Sequence, residues 1–186
     1  ACKLQYADMA SAVEADLAQL KLIFALYSRM DRAIDPSEIS EEVGARLREE
    51  LDYKREAAHI ALYRAMLKDT GTIHIPEVVP ELSTGRLLTM SWEEGRPILE
   101  FKGRSLADRN KIALAMFRAW WHPFSHFGAI HGDPHLGNYT IRDNLDLNLL
   151  DFGCIRTFKP KFVGGVIDLY RALETNKPDL AVHAYE

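Results

Sequence analysis

The sequence has few cysteines, no long apolar run and no excess of positive charge, and each shortage excludes a class of protein. Its two cysteines, Cys2 and Cys154, lie far apart without a CxxC pair, which argues against a disulfide framework or a structural zinc site and favours a reducing compartment. No apolar run approaches the length of about 18 residues that indicates a transmembrane helix. The net charge of −4 and the lack of a basic stripe argue against nucleic acid as the main partner.

What is present is the composition of a globular protein with a core. The chain has 186 residues, of which 47% are hydrophobic and 27% charged, and this length suits one domain or one domain of two lobes. It begins with ACKLQY, which has the pattern of a strand interior, and it ends within a helical pattern. We therefore expect a fragment cut inside a larger domain.

Apolar residues at spacings of three and four predict four helical segments. Asp35 and Pro36 predict the start of the second of them, and Ser105 with Asp108 predicts a capped start of the third. In that third helix Ile112, Ala115, Met116, Ala119 and Trp120 are expected to face inward. The segments are 7–33, about 37–68, 105–127, and a tail over 160–186 after a hinge at Gly164–Gly165.

Short strands are predicted between the helices. Residues 1–6 form one strand, and residues 73–92 form further strands broken by prolines and a turn. Residues 140–149 form a small hairpin with its turn at 142–144. The order of elements predicts an α+β fold, in two lobes if residues 93–98 form the joint.

One stretch, HGDPHLGNYTIRDNLDLNLLDFG at 131–153, gathers many acidic and ligand-type side chains. Two chemistries fit it. His131, Asp133 and His135 alternate and would share one face of a strand, as ligands of a metallohydrolase do. Alternatively Asp133, Asn138 and Asp151 form the carboxylate and amide set of a phosphoryl-transfer site.

Spacing favours phosphoryl transfer. Asp133 precedes Asn138 by five positions, as in the kinase pattern HRDxxxxN, and Asp151 belongs to a DFG triplet. The hairpin between them would bring Asn138 and Asp151 back together, where oxygen ligands suit magnesium. Pro134 argues against a regular strand through the proposed metal ligands. We interpret His131 as a brace of the loop and the other polar hairpin residues as turn and solvent-face positions, namely Asp143, Asn144, Asp146 and Asn148.

With these motifs the sequence resembles the UbiB/AarF family of atypical, protein-kinase-like proteins linked to coenzyme Q (ubiquinone) biosynthesis. HGDPHLGN and LDFG are the most specific matches, and ACKLQYADM, EELDYKREA and the segment 75–98 resemble other family elements. The resemblance implies a two-lobed protein-kinase-like fold. The N-lobe, over 1–92, would be truncated and begin at the lysine strand, and a mainly helical C-lobe would cover 93–186.

The resemblance also implies roles for single residues. Lys3 would contact the nucleotide phosphates and pair with Glu56, Asp133 would be the catalytic carboxylate, and Asn138 and Asp151 would hold Mg²⁺. The hinge near adenine would comprise Met90, Ser91, Trp92 and Glu93. Glu50 and Asp52 match the family's ExD element, but they are about 200° apart around an ideal helix. Both can face one site only if the helix bends or starts anew near Glu50.

The sequence departs from the family pattern before the lysine strand, where the KxGQ element and alanine-rich nucleotide loop are absent. Gly132 stands where many protein kinases carry Arg, and no APE element follows Gly153. Gly132 argues against activation by a phosphorylated loop. The missing APE element favours a small-molecule or lipid substrate, or ATP hydrolysis alone, over a protein substrate.

The sequence thus predicts an ATP-binding, Mg²⁺-dependent atypical kinase or ATPase domain that supports ubiquinone biosynthesis. We expect it in the cytoplasm, with room for peripheral contact at the inner membrane. Two alternatives stay open: a small-molecule phosphotransferase of the aminoglycoside or choline type, and a non-catalytic regulator that binds nucleotide.

Overall fold

The computed structural model describes residues 1–30 and 36–183. The described residues form an α+β fold. The strands are β1 (Cys2–Leu4), β2 (Ile73–His74), β3 (Leu87–Thr89), β4 (Arg96–Pro97), β5 (Ala129–His131), β6 (Tyr139–Ile141), β7 (Leu147–Leu149) and β8 (Ile155–Thr157). The helices are α1 (Met9–Met30), α2 (Pro36–Glu50), α3 (Tyr53–Leu67), α4 (Leu106–Phe127), α5 (Pro160–Thr175) and α6 (Pro178–His183).

The chain divides into two compact units, and the division falls inside α3. Ala1–His59 and Glu77–Trp92 form the first unit, and Ile60–Pro76 with the residues from Glu93 onward form the second. The assignment of an N-lobe to 1–92 and a C-lobe to 93–186 stays a prediction.

In the first unit a two-stranded sheet carries the predicted lysine. β1 pairs antiparallel with β3, with Lys3 opposite Leu88. α1 packs on α2, where the buried Leu17 lies against Gly44. An exposed ion pair between Arg48 and Glu14 links the same two helices at 2.7 Å.

The prediction of one continuous helix over about 37–68 is wrong, because the chain forms two helices there. α2 ends at Glu50 and α3 begins at Tyr53. Asp52 caps α3: its Oδ1 accepts hydrogen bonds from the backbone N–H groups of Lys54 and Arg55, each at 3.1 Å. A carboxylate that satisfies these otherwise unpaired donors favours a new helix start. The predicted cap of α2, Asp35, lies outside the described residues.

The second unit contains the larger sheet, with strand order β2-β7-β6-β4. β2 runs parallel to β7, whereas the other neighbours are antiparallel, and β5 pairs separately with β8. α4 packs against β5 and β7. The core of this unit includes the wholly buried Ile141, Leu147 and Phe152.

The ends of α4 follow from local chemistry, but its inward face was predicted only in part. The Ser105 cap is confirmed, since its side chain accepts a hydrogen bond from Asp108 N at 3.1 Å. Gly128 ends the helix in the left-handed conformation with φ 68°. The inward placement of Trp120 is wrong, because this side chain is 39% exposed. The buried positions of α4 are Ile112, Ala115, Ala119, Pro123 and Phe124.

The tail contains two helices, and the predicted hinge at Gly164–Gly165 is wrong. Both glycines lie within α5, which begins with Pro160 in its first turn. α5 ends instead at Asn176, whose φ of 52° breaks the helix, and Lys177 N bonds to Ala172 O at 2.9 Å. Within 1–30 and 36–183, no helix has the length and apolar character needed to cross a membrane.

Candidate active site

The lysine and glutamate assigned from the sequence form an ion pair in the first unit. Lys3 Nζ lies 2.9 Å from both carboxylate oxygens of Glu56. The Glu56 side chain is only 2% exposed, whereas Lys3 is 35% exposed. The Lys3 ammonium also lies 5.5 Å from the centre of the Tyr53 ring. A buried carboxylate is thus held by a cation that still reaches solvent.

The ExD residues occupy two different elements. Glu50 is the exposed last residue of α2, and Asp52 is the cap of α3. Between them, Leu51 O accepts a short hydrogen bond from Gln5 Nε2, next to the lysine strand. Asp52 therefore sets the start of the helix that presents Glu56 to Lys3.

The four predicted hinge residues differ in their surroundings. Met90 is buried and exchanges backbone hydrogen bonds with Ala1, at 2.6 and 2.9 Å. Ser91 is tied through its N–H and its hydroxyl to the backbone of Glu77. Trp92 is 70% exposed, so its side chain is not part of the core. The Glu93 carboxylate is ion-paired with Arg142.

In the second unit the predicted catalytic loop joins Asp133 to Asn138. Asn138 Nδ2 donates to Asp133 Oδ2 at 2.9 Å and to Asp133 O at 3.2 Å. The second carboxylate oxygen, Oδ1, accepts from His135 N at 3.4 Å. These bonds orient a carboxylate that is exposed to solvent. The position suits a group that accepts a proton from a hydroxyl or from water.

Both proposed metal-ligating histidines are used inside the loop. His131 is 3% exposed, and its two ring nitrogens lie 2.6 Å from Asp151 O and 3.3 Å from Asp133 N. His135 Nδ1 accepts from Gly137 N at 3.1 Å and caps a short 3₁₀ turn over 136–138. Their contacts support the bracing role assigned to His131 and give His135 a structural one.

The hairpin returns Asp151 to the side of Asn138, as its sequence predicted. Tyr139 pairs with Leu149, and Leu150 N donates to Asn138 O at 3.0 Å. Asp151 Oδ1 accepts from Gly153 N at 2.9 Å, which closes the DFG turn.

The donor chemistry of this pair fits magnesium. Because the Asn138 nitrogen donates to Asp133, its carbonyl oxygen is the atom available for a metal. That oxygen and the Asp151 carboxylate are hard oxygen donors of the kind Mg²⁺ prefers. Both residues are partly exposed, so a hydrated ion can reach them.

Aromatic rings connect α3 to the loop and to the DFG turn. The buried Tyr63 meets Phe152 edge-on at 5.5 Å between ring centres and His131 at 6.4 Å. Burial, and then the negative charge of Asp133, raise the pKa of the neighbouring Tyr139. The Tyr63 hydroxyl has no hydrogen-bond partner among the described residues, and burial raises its pKa strongly. The rings fix the loop mainly by packing.

The placement of Asn148 and Asp146 on the solvent face of the hairpin is wrong, since both are buried, at 0% and 7% exposure. Asn148 Nδ2 donates to Glu94 O and to Thr140 Oγ1, each at 2.9 Å, and its Oδ1 accepts from Arg142 Nε at 2.6 Å. Arg142 in turn pairs with Glu93. We call these residues the Asn148 network, and it ties the segment after the hinge to the hairpin between Asn138 and Asp151.

This network was not predicted from the sequence, although the glycine at position 95 is consistent with close packing there. A Cβ atom at Gly95 would lie 2.6 Å from Thr140 Oγ1 and 2.7 Å from Asn148 Nδ2. Glycine at this position therefore permits a close approach of backbone to the hairpin.

Replacing Asn148 with Leu should destabilise the protein while keeping the branched shape of the side chain. The change leaves Arg142, Thr140 and Glu94 O without their buried partner, and we expect a loss of about 2 kcal/mol in the free energy of unfolding. Urea unfolding measures it. As a control, Asp143→Ala, at a turn position that is 98% exposed, should cost clearly less, and equal losses would contradict a special role for the network.

Comparison with known proteins identifies the family of the chain. The ABC1 atypical kinase-like domain matches residues 1–182. The chain belongs to the ABC1 atypical kinase-like family. Its fold is the protein-kinase-like fold.

Curated relatives and a solved structure support the membership. The chain is 27% identical over 162 residues to atypical kinase COQ8, mitochondrial, of Saccharomyces cerevisiae, which covers 87% of this chain and 32% of that protein. It is 26% identical over 180 residues to AarF domain-containing protein kinase 1 of Xenopus tropicalis, covering 93% and 34%. The Rv3197–erythromycin complex from Mycobacterium tuberculosis superimposes with a TM-score of 0.79 at 26% identity, over 100% of this chain and 47% of that one. The chain thus spans about a third of the length of these curated relatives.

Proposed function

We propose that this domain binds Mg-ATP and catalyses phosphoryl transfer to a small-molecule or lipid substrate, or hydrolysis of ATP, in support of ubiquinone biosynthesis. The proposal rests on three residues of the second unit, Asp133, Asn138 and Asp151. Asn138 holds the Asp133 carboxylate, and the hairpin returns Asp151 beside Asn138. This is the carboxylate–amide–carboxylate arrangement that phosphoryl transfer requires.

Each residue of the set has a separate task in this proposal. Asp133 accepts the proton of the attacking hydroxyl or water, and Asn138 keeps its carboxylate in position. Asn138 and Asp151 would hold Mg²⁺, which would supply positive charge to neutralise the phosphates. Lys3, oriented by Glu56, binds the nucleotide phosphates, and residues 90–93 receive the adenine.

The names of the relatives support the kinase class, and they also state the cell compartments of those relatives. The yeast relative is called an atypical kinase and mitochondrial, and a relative from Arabidopsis thaliana is called chloroplastic. Ubiquinone biosynthesis is the setting that the UbiB/AarF resemblance implies. A location in the cytoplasm with peripheral contact at the inner membrane remains part of the proposal.

Asp151→Asn tests the magnesium assignment directly. The substitution keeps the shape but removes the charge that a cation needs, so Mg-ATP affinity and ATP turnover should each fall at least tenfold. Binding is measured by titration calorimetry with Mg²⁺ and again with EDTA. We expect the loss of ATP affinity in the titration with Mg²⁺ and not in the titration with EDTA, because Asp151 has no role in binding metal-free ATP.

Two results would overturn the proposal. Unchanged nucleotide affinity and turnover in Asp151→Asn would remove Asp151 from the metal site. A screen of hydroxylated acceptors that found robust phosphorylation of an amino sugar or choline would favour the aminoglycoside or choline type of phosphotransferase instead.

A further inference from the structure

Two histidines near the end of α4 lie side by side, outside the candidate active site. His122 and His126 are four residues apart in this helix, so they share one of its faces. Their ring centres are 4.2 Å apart, and their ring planes are tilted by 30°. His126 is exposed and His122 is half-buried, so solvent reaches both rings.

Hydrogen bonds around His126 determine which of its ring nitrogens carries the proton. Nδ1 lies 3.2 Å from His122 O, and a carbonyl oxygen can only accept. Nδ1 also lies 2.9 Å from Ser125 Oγ, whose own proton is donated to Trp121 O at 2.8 Å. Nδ1 therefore carries the proton, and Nε2 keeps its lone pair. Metal-binding histidines are oriented in the same way, with the second ring nitrogen donating to a backbone carbonyl.

The His122 ring is available for coordination as well. Within residues 1–30 and 36–183, neither of its nitrogens has a hydrogen-bond or ion-pair partner. The ring meets Phe127 edge-on, at 5.8 Å between ring centres, which restricts its rotation. Two nitrogens bound to one zinc ion at 2.0–2.1 Å lie about 3 Å apart. Adjacent rings such as these reach that separation by small side-chain rotations.

The backbone of α4 favours a cation at this position and lacks one of its own bonds just before it. The helix ends at Phe127, and the free carbonyls of a helix C-terminus carry partial negative charge. Pro123 lies inside the helix and has no N–H, so one backbone hydrogen bond is missing. A metal ion bound to both rings would link the two ends of the turn that follows this gap.

We propose that His122 and His126 bind a transition-metal dication of the Zn²⁺, Ni²⁺ or Cu²⁺ class and that the ion clamps the last turn of α4. Imidazole suits these metals, whereas Mg²⁺ prefers oxygen ligands. Two histidines at the same helical spacing bind zinc in the HExxH motif. The described parts of the chain contain no larger metal-ligating group, so water fills the remaining coordination positions. The inference rests on α4 alone and not on the proposed function.

Calorimetric titration of the tag-free full chain with Ni²⁺ and Zn²⁺ tests the site. His122→Gln and His126→Gln should each weaken binding at least tenfold, because one imidazole alone cannot chelate the ion. Millimolar Mg²⁺ should not compete. Affinity that stays unchanged in either variant, or that Mg²⁺ abolishes, would overturn the proposal.

His126→Ala combined with Phe127→His is the matched control, because it keeps the number of histidines. The two imidazoles are then five residues apart, about 140° around the helix, and cannot bind one ion. We expect the same loss of affinity as in His126→Gln, whereas His59→Gln in α3 should bind as the wild type does. Full binding by the shifted pair, or an equal loss in His59→Gln, would mean that single histidines bind the metal separately and would overturn the chelate.

Thermal unfolding tests the clamp itself. Ni²⁺ should raise the unfolding temperature of the wild type but not of the two glutamine variants, because an ion that binds the folded helix stabilises it. EDTA should reverse the rise, and circular dichroism without metal checks that each variant is folded. An equal rise in wild type and variants would place the metal elsewhere and contradict the clamp. None of these measurements uses ATP, so failure of the proposed function and failure of this inference are distinguishable.

Discussion

Asp133→Asn should lower ATP turnover by about 10²–10⁴-fold, the range that a positioned general base contributes, while ATP affinity changes little. The carboxylate is exposed, and its Oδ2 is oriented by Asn138 Nδ2 at 2.9 Å. Asparagine keeps the size of the side chain and removes its capacity to take a proton. Steady-state turnover and equilibrium binding of Mg-ATP, measured on the same preparation, distinguish this loss from a loss of binding.

Asp143→Asn is the matched control for this prediction. Asp143 lies in the same stretch of sequence, is 98% exposed, and only approaches Arg96 at 3.5 Å, so its substitution should leave turnover unchanged. If Asp133→Asn retained more than a tenth of wild-type turnover while Asp151→Asn removed it, Asp133 would not be the base. The reaction would then proceed by positioning and charge neutralisation alone.

Features that rest on short-range chemistry were predictable from the sequence. Ser105 lies three residues before Asp108, whose backbone N–H donates to the Ser105 hydroxyl, and this spacing is typical of a helix cap. The hairpin was predictable from a turn between two apolar runs. The approach of Asp151 to Asn138 was predictable for the same reason, because a hairpin with a short turn fixes which residues face each other.

Burial of polar side chains was not predictable in this way. Asn148 lies between two leucines in β7, where alternation predicts a solvent-facing position. In the fold β7 lies inside the sheet, between β2 and β6, and the backbone of Glu94 and the side chain of Arg142 meet the amide. These partners come from other elements, and a pattern read along one strand holds no information about them.

The break between α2 and α3 shows a second limit. Helix-forming residues continue through 49–57, so propensity favours one helix. Asp52 nevertheless prefers the cap, because its carboxylate bonds the N–H groups of Lys54 and Arg55 outside a helix interior. Helical spacing had indicated only that Glu50 and Asp52 could face one site if the helix broke near Glu50.

Lys3→Met should destabilise the protein by about 3 kcal/mol, toward the lower end of the loss known for breaking a buried ion pair. The substitution leaves the Glu56 carboxylate, 2% exposed, without the ammonium that lies 2.9 Å from both of its oxygens. The lower end applies because Lys3 itself is 35% exposed, and water can replace part of the lost interaction. Urea unfolding gives the free energy, and Mg-ATP binding should weaken as well.

A double-mutant cycle shows whether the loss comes from the stranded carboxylate. Lys3→Met combined with Glu56→Met removes both charges, so the double variant should be more stable than Lys3→Met alone. Arg48→Met breaks the exposed pair with Glu14 and should have a much smaller effect, because solvent screens both groups. Equal losses in Lys3→Met and Arg48→Met would mean that the Lys3–Glu56 pair is an ordinary surface contact. A double variant less stable than Lys3→Met would mean that Glu56 is held by its other neighbours, and the orientation of the lysine proposed to bind phosphate would then need a different explanation.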